Sequence, residues 1–290
     1  MLTVTGMYVI QAIHGLAYGM LLFLVASGLT LVFGMMGVLN LAHASFFMLS
    51  AYFCFTVLQV TGNFWLSLLF APVAAAFFGI LVERLLLRRV RAQGHIGELL
   101  LTLGVMLIIL EIVKVFWGTE SLLISVPPSL SGLVKIGGIS YPLYRLFIIG
   151  LSMIVLGLMA LILFKTRLGK IVQAAVANAN MVSALGINTP LVFMLVFGIG
   201  TWLAGIAGVA AAPLLTVFPG MADQMGMDAF VVVVVGGLGS LGGAFLASLM
   251  IGELNAFGVQ FIPRLAPVLM FAFMAIVLSI KPTGFFGERE

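Results

Sequence analysis

Asn40, His43 and Ser45 are the groups best placed to do chemistry in this chain, because they cluster inside a stretch without a single formal charge. Residues 1–82 contain no Asp, Glu, Lys or Arg. Asn40 and His43 are three apart, so a helix would put them on one face. In an apolar bundle polar side chains turn to the interior, where these two either line a pathway for a solute or hydrogen-bond a neighbouring helix. The two readings stand level. The translocation-pathway set is therefore Asn40, His43 and Ser45, although for Ser45 taken alone helix packing or back-bonding is the expectation.

The other ionisable groups have plainer roles. Glu111 and Lys114, at i and i+3, suit a paired or interfacial couple. Glu253 follows a glycine-rich segment and either faces a cavity or lies in a short turn between spans; the turn is the expectation. His14 and His95 read as interfacial and loop residues. No catalytic residue emerges, since the chain has no HExxH, no GxSxG and no Walker A, and GGLGSLGG lacks the closing Lys-Ser/Thr of a phosphate loop. Cys54 stands alone, so neither a disulfide framework nor a cysteine metal site is expected. A secondary transporter or channel is one reading to weigh, but ion coupling uses intramembrane carboxylates and the N-terminal stretch offers none. A purely structural subunit is a third and weaker reading.

The elements that must position these groups are membrane helices. The 290 residues are 63% hydrophobic and 8% charged, with a mean hydropathy of +1.30. A soluble domain needs more surface charge than that. A crossing takes about 20 apolar residues, so the length allows roughly eight crossings, and the fold class is an all-α polytopic membrane protein, one transmembrane domain over 1–290. Apolar segments run over 8–33, 36–60, 64–87, 98–117, 142–164, 190–213 and 227–246, followed by 247–262 and 265–280, one of them broken or re-entrant. Residues 1–11 have no basic region ahead of the apolar stretch, which argues against a cleaved signal peptide. The net charge of +4 comes from short basic clusters beside apolar runs, which is the pattern of positive-inside loops rather than of nucleic-acid binding. Arg84, Arg88, Arg89 and Arg91, then Lys165, Arg167 and Lys170, then Lys281 and Arg289, mark the cytoplasmic side. The linker 118–141, with Pro127, Pro128, Gly132, Gly137 and Gly138, and the segment 219–225 fall outside.

Glycine punctuates two apolar runs. Gly34 and Gly37 precede Asn40, while Gly236, Gly237, Gly239, Gly242 and Gly243 crowd into eight residues. Glycine costs about 1 kcal/mol relative to alanine inside a helix, so these positions mark a helix break or close helix contact, with packing favoured over ligand contact. The loop 165–190 is too long for a turn. Its Leu168, Ile171, Ala175, Ala179, Val182 and Leu185 recur at near-helical spacing, Asn178 or Asn180 can cap a second short helix, and Gly186 suits its C-terminal cap. A short helical hairpin on the cytoplasmic face results, low in charge and suited to a groove on a soluble partner. The alternative is an amphipathic helix resting on lipid.

GLTLVFGMMGVLNLAHASFFMLSAY, TRLGKIVQAAVANANMVSALGIN, AFVVVVVGGLGSLGGAFLAS and KPTGFFG resemble, in order, the signature stretches of the high-affinity branched-chain amino acid ABC permeases of LivH type. The resemblance covers nearly the whole chain. It implies a bacterial inner-membrane importer with a LivM-like second permease, two cytoplasmic ATPase subunits and a periplasmic substrate-binding protein. ATP and Mg would stay on the partners, leaving this chain no cofactor of its own. It also implies ATPase coupling through Arg167, Gly169, Ala174, Ala175, Gly186, Ile187 and Asn188. The chain departs from the pattern where Asn40 to Ser45 lacks the usual acidic residue and where Gln173 replaces a common arginine. Relatives of this permease type also serve urea, short amides and aromatic carboxylates.

Overall fold

The computed structural model describes residues 4–37, 39–91, 94–136 and 139–287. Gly137, Gly138, Arg289 and the Asn180 side chain lie outside the described residues. Ten helices carry the described fold: α1 (Val4–Met36), α2 (His43–Thr61), α3 (Phe64–Val82), α4 (His95–Trp117), α5 (Leu143–Lys165), α6 (Arg167–Ala184), α7 (Thr189–Ala211), α8 (Met221–Gly236), α9 (Leu241–Phe261) and α10 (Ala266–Ile280). A π turn at Glu83–Leu87 and a short helical piece at Arg88–Val90 prolong α3. Eight of the described helices are long and apolar enough to cross a membrane. One small antiparallel hairpin, β1 (Leu133–Ile136) and β2 (Ile139–Pro142), pairs Val134 with Tyr141 and Lys135 with Ser140.

The core is the crossing of α1 with α7 and α9. Phe23, Leu24, Val25, Leu203, Ala204 and Ala207 are fully buried there. Close approach depends on missing side chains, as expected where lipid supplies no hydrophobic drive between helices. A Cβ on Gly28 would strike the Gly200 carbonyl, and one on Gly208 would strike that of Phe47. The outer helices show their apolar side chains instead. Phe70, Phe77, Leu107, Ile108 and Phe164 are exposed, as a lipid-facing surface requires.

Two boundaries differ from the sequence expectation. Three crossings were expected from 227–246, 247–262 and 265–280, but α9 runs unbroken through 246 and 247. The break falls earlier, where Gly237 (φ 99°) and Gly239 (φ 81°) turn the chain and the Ser240 hydroxyl accepts the Gly243 N–H at 3.1 Å as an N-cap. This leaves α8 only 16 residues long, about 24 Å, short of the roughly 30 Å of hydrocarbon. Glu253 accordingly lies inside α9 rather than in a turn. It packs so closely on Gly15 of α1 that a Cβ there would lie 2.6 Å from a Glu253 carboxylate oxygen.

The second difference is the start of α2. The run 36–60 was expected to be one helix, yet α1 closes at Gly37 (φ 68°) and α2 begins only at His43. The His43 Nε2 donates to the Val25 carbonyl at 3.1 Å, eleven residues before the end of α1, a rise of about 16 Å. The chain therefore doubles back beside α1, and α2 starts deep inside the bundle.

Candidate functional site

The start of α2 forms one wall of a partly open cavity of about 370 Å³. Asn40, His43 and Ser45 all line it, together with Val25 and Leu29 of α1, Leu103 and Met106 of α4, and Asp223, Gly226, Met227 and Phe230 of α8. The three expected pathway residues are thus brought to one place, and each is buried, with 6%, 2% and 0% of its surface exposed.

Their hydrogen bonding is incomplete in a consistent way. Asn40 Oδ1 accepts the Ala42 N–H at 3.1 Å, while its Nδ2 has no partner. His43 uses Nε2 on Val25, so Nδ1 is left as the unpartnered nitrogen. The Ser45 hydroxyl has no partner either, which sets aside the back-bonding reading for this serine. A buried polar group without a hydrogen bond costs about 1–3 kcal/mol, and three in one cavity point to a role other than stability. The first turn of α2 borders the site, with the His43 N–H donating to the Asn40 carbonyl at 3.1 Å and the Ser45 N–H to the Ala42 carbonyl at 3.0 Å, so its contribution is the partial positive charge of a helix start rather than free N–H groups.

Asp223 was missed as a site residue. The segment 219–225 reads as an external loop, whereas 221–225 is the first turn of α8 and lines the cavity. A carboxylate beside two glycines and an apolar run was the available signal.

The glycine segments meet each other at the end of the bundle that carries the basic clusters. A Cβ on Gly34 would lie 3.3 Å from the Gly239 Cα, and Gly236 and Gly243 leave no room for a side chain on either. Phe285 and Phe286 donate their backbone N–H groups to the Val235 and Gly236 carbonyls at 2.9 and 3.0 Å, so the tail is strapped onto this knot. Gly242 is the exception. Open space surrounds its Cβ position, which corrects its assignment to close packing.

The loop 165–190 is the helix α6, broken at Asn178 (φ −161°, ψ 94°), where Asn178 Oδ1 accepts the Met181 N–H at 2.9 Å and caps the second piece. Gly169 sits so tightly under α5 that a Cβ would strike the Ile162 and Leu163 carbonyls. Gln173 donates to the Leu163 carbonyl at 2.8 Å. Ala175 and Val182 are buried, but Leu168 and Leu185 are exposed beside Val176 and Met181, so the inward apolar stripe is narrower than its spacing suggested. Arg167, Ala174, Gly186 and Asn188 are exposed and Ile187 is half-buried. Gly186 has φ 83°, the left-handed cap expected of it. Asn188 caps α7 through the Leu191 N–H at 3.2 Å.

A charged hub at the same end was also missed. Arg91 Nη2 lies 3.2 Å from Glu83 Oε1 and Arg91 Nε 3.4 Å from Glu98 Oε1, with the guanidinium 4.1 Å above the Phe193 ring of α7. Glu111 and Lys114 pair at 2.7 Å as their spacing implies.

A multi-pass helical bundle that buries unpartnered polar groups in an apolar cavity is the build of a transport permease. Compared with known proteins, residues 11–278 match the family described as branched-chain amino acid transport system / permease component, and the chain belongs to that family. It is similar to the high-affinity branched-chain amino acid transport system permease protein BraD of Pseudomonas aeruginosa, with 29% identity over 98% of this chain and 97% of that protein. LivH of Salmonella typhimurium, of the same description, is 28% identical over 97% and 96%. The probable LivH permease of Methanocaldococcus jannaschii is 26% identical over 93% and 90%. No solved structure matches the chain.

Proposed function

We propose that this chain is one permease subunit of an ATP-driven ABC importer that moves branched-chain or other hydrophobic amino acids across a bacterial inner membrane. A LivM-like second permease would complete the pathway, a periplasmic binding protein would deliver the solute, and two cytoplasmic ATPase subunits would bind ATP and Mg. The carrying observation is the trio of unpartnered polar atoms on Asn40, His43 and Ser45 in a cavity otherwise walled mostly by apolar side chains. Such a lining hydrogen-bonds a compact, partly apolar solute and lets it leave. The exposed apolar face of α6 supports the ATPase contact. The test is uptake of labelled leucine by proteoliposomes holding the complete complex. Uptake that requires ATP and the binding protein supports the proposal. Uptake driven by an ion gradient without ATP refutes it, and transport of urea, short amides or aromatic carboxylates in place of leucine refutes its substrate.

Coupling gives a second measurement. Gly186 holds a left-handed conformation that a β-branched residue tolerates poorly, at a local cost of about 1–3 kcal/mol. Because its Cβ position is open, the strain is confined to the end of α6. Gly186→Val is expected to assemble normally, retain ATP hydrolysis and lose most uptake. Wild-type uptake by a well-assembled Gly186→Val complex would defeat the coupling role.

A further inference from the structure

We propose that the cavity is a zwitterion site, in which the start of α2 with Asn40 and Ser45 takes an α-carboxylate while Asp223 and His43 take the α-ammonium. The permease then reads the backbone of an amino acid for itself, independently of any binding protein. This rests on the transport reading above and adds which atoms recognise which end of the solute.

The carboxylate end follows from α2. Its start carries the partial positive charge of a helix N-terminus, and two side chains lining the same space have donors to spare. Asn40, with Oδ1 committed to the Ala42 N–H, can only donate through Nδ2. The Ser45 hydroxyl is wholly buried and uncommitted. The ammonium end follows from the facing wall. A Cβ on Gly226 would lie 3.0 Å from the Ala44 Cβ, so α8 abuts the first turn of α2. Asp223 is three residues earlier on α8, a rise of about 4.5 Å on the same helix face, and it lines the same cavity. It makes no ion pair with any described residue. His43, with Nε2–H given to Val25, offers the Nδ1 lone pair as a second acceptor. The remaining wall of Val25, Leu29, Leu103, Met106 and Phe230 suits an aliphatic side chain. Opposite charges at the two poles and an apolar flank match a hydrophobic α-amino acid better than an amide or a simple carboxylate.

The test uses membrane vesicles holding the complete permease–ATPase complex without the binding protein. Met227 lines the cavity and is 53% exposed, so Met227→Cys in a Cys54→Ser background reports occupancy through its alkylation by a small maleimide. L-Leucine is expected to protect this cysteine at a concentration at least about tenfold below that needed by leucinamide, which lacks the carboxylate, or by 4-methyl-2-oxopentanoate, which lacks the ammonium. Asp223→Asn should abolish the preference for leucine over the oxo acid and keep the preference over leucinamide. A merely structural role for Asp223 would move both preferences or neither. Equal protection by all three solutes, or none by any of them, in a complex that still takes up leucine when the binding protein is restored would overturn the zwitterion site alone. A complex that fails to take up leucine at all would overturn the transport reading and this proposal with it.

Discussion

The cavity at the start of α2 and the hub around Arg91 are both islands of polarity in an apolar bundle, and they differ in whether the protein supplies a countercharge. In the hub one guanidinium serves two buried carboxylates through one oxygen of each and covers a ring, leaving Glu83 Oε2 without a partner. In the cavity three polar atoms are buried with nothing from the protein to bond them. The two regions are adjacent. Glu98 lies in the first turn of α4, and one turn further along the Thr102 hydroxyl oxygen accepts the Leu41 N–H at 3.4 Å, two residues before His43. The contrast sets a charged cluster that holds helices together against polar groups left open to a solute; single unpartnered atoms also occur elsewhere, on Tyr52 and Ser152 for example, so it is the grouping of three in one cavity that marks the site.

The largest effect comes from breaking the paired region. Arg91→Ala would leave Glu83 and Glu98 without their ion-pair partner, with Arg88 the remaining cation near Glu83. With Arg91 27% exposed and its partners at 1% and 4%, the loss belongs near the lower end for a broken buried pair, about 3 kcal/mol. A lower thermal midpoint of the purified complex and a lower yield are the expected readouts. Arg91→Lys should recover less than half of the loss, because a lysine restores the charge but neither the fork that reaches two carboxylates nor the stack on Phe193. Wild-type stability in Arg91→Ala would show that the hub braces nothing.

A smaller effect on stability, with a larger one on transport, is expected for His43→Leu. The substitution gives up one hydrogen bond to Val25, about 1 kcal/mol, and also removes an unpartnered buried nitrogen, so the two changes largely offset. Uptake should fall at least about tenfold in complexes that assemble at near wild-type levels. Reduced assembly with an unchanged preference among leucine, amide and aromatic-acid solutes would move His43 from the cavity to the bracing class.

The two regions also differ in how far they can be read from sequence. Asn40, His43 and Ser45 were visible because they share a few residues in a charge-free run, and local spacing is what a sequence displays. The same holds for Gly186, whose cap geometry depends on its own backbone, and for the break at Asn178. Arg91, Glu83 and Glu98 are 8 and 7 residues apart across the turn that joins two helices. Their meeting depends on how α3 and α4 pack, so the arginine read only as one of a basic cluster. Asp223 was hidden because 219–225 contains a proline, a glycine and two polar residues and resembles a loop. Glu253 misled for the opposite reason. Gly252 beside it suggested a turn, but that glycine serves the crossing with α1, where its Cβ would strike the Gly15 carbonyl, and the helix runs through both residues. Gly242, a neighbour of glycines that do pack, shows that density alone does not say which member makes the contact.

The smallest change makes the sharpest test of the contrast, because it compares two serines one helix apart in role and only five residues apart in sequence. Ser45 and Ser50 both lie on α2 with no exposed surface. The Ser50 hydroxyl donates to the Gly205 carbonyl of α7 at 2.9 Å, as Ser27 and Ser248 donate to carbonyls of their own helices, whereas the Ser45 hydroxyl donates to none. Removing a hydroxyl that bonds across helices loses that bond, so Ser50→Ala should cost about 1 kcal/mol and leave uptake per assembled complex unchanged. Removing one that is buried and unpartnered relieves a desolvation cost, so Ser45→Ala should be neutral or stabilising by up to about 1 kcal/mol. Its uptake should nevertheless drop several-fold, since a solute carboxylate would lose one of its donors. Thermal stability and leucine uptake measured side by side on the two variants decide the matter. If Ser45→Ala destabilises and Ser50→Ala does not, or if both leave uptake untouched, then being unpartnered does not distinguish the cavity from the scaffold, and Ser45 belongs with the packing residues.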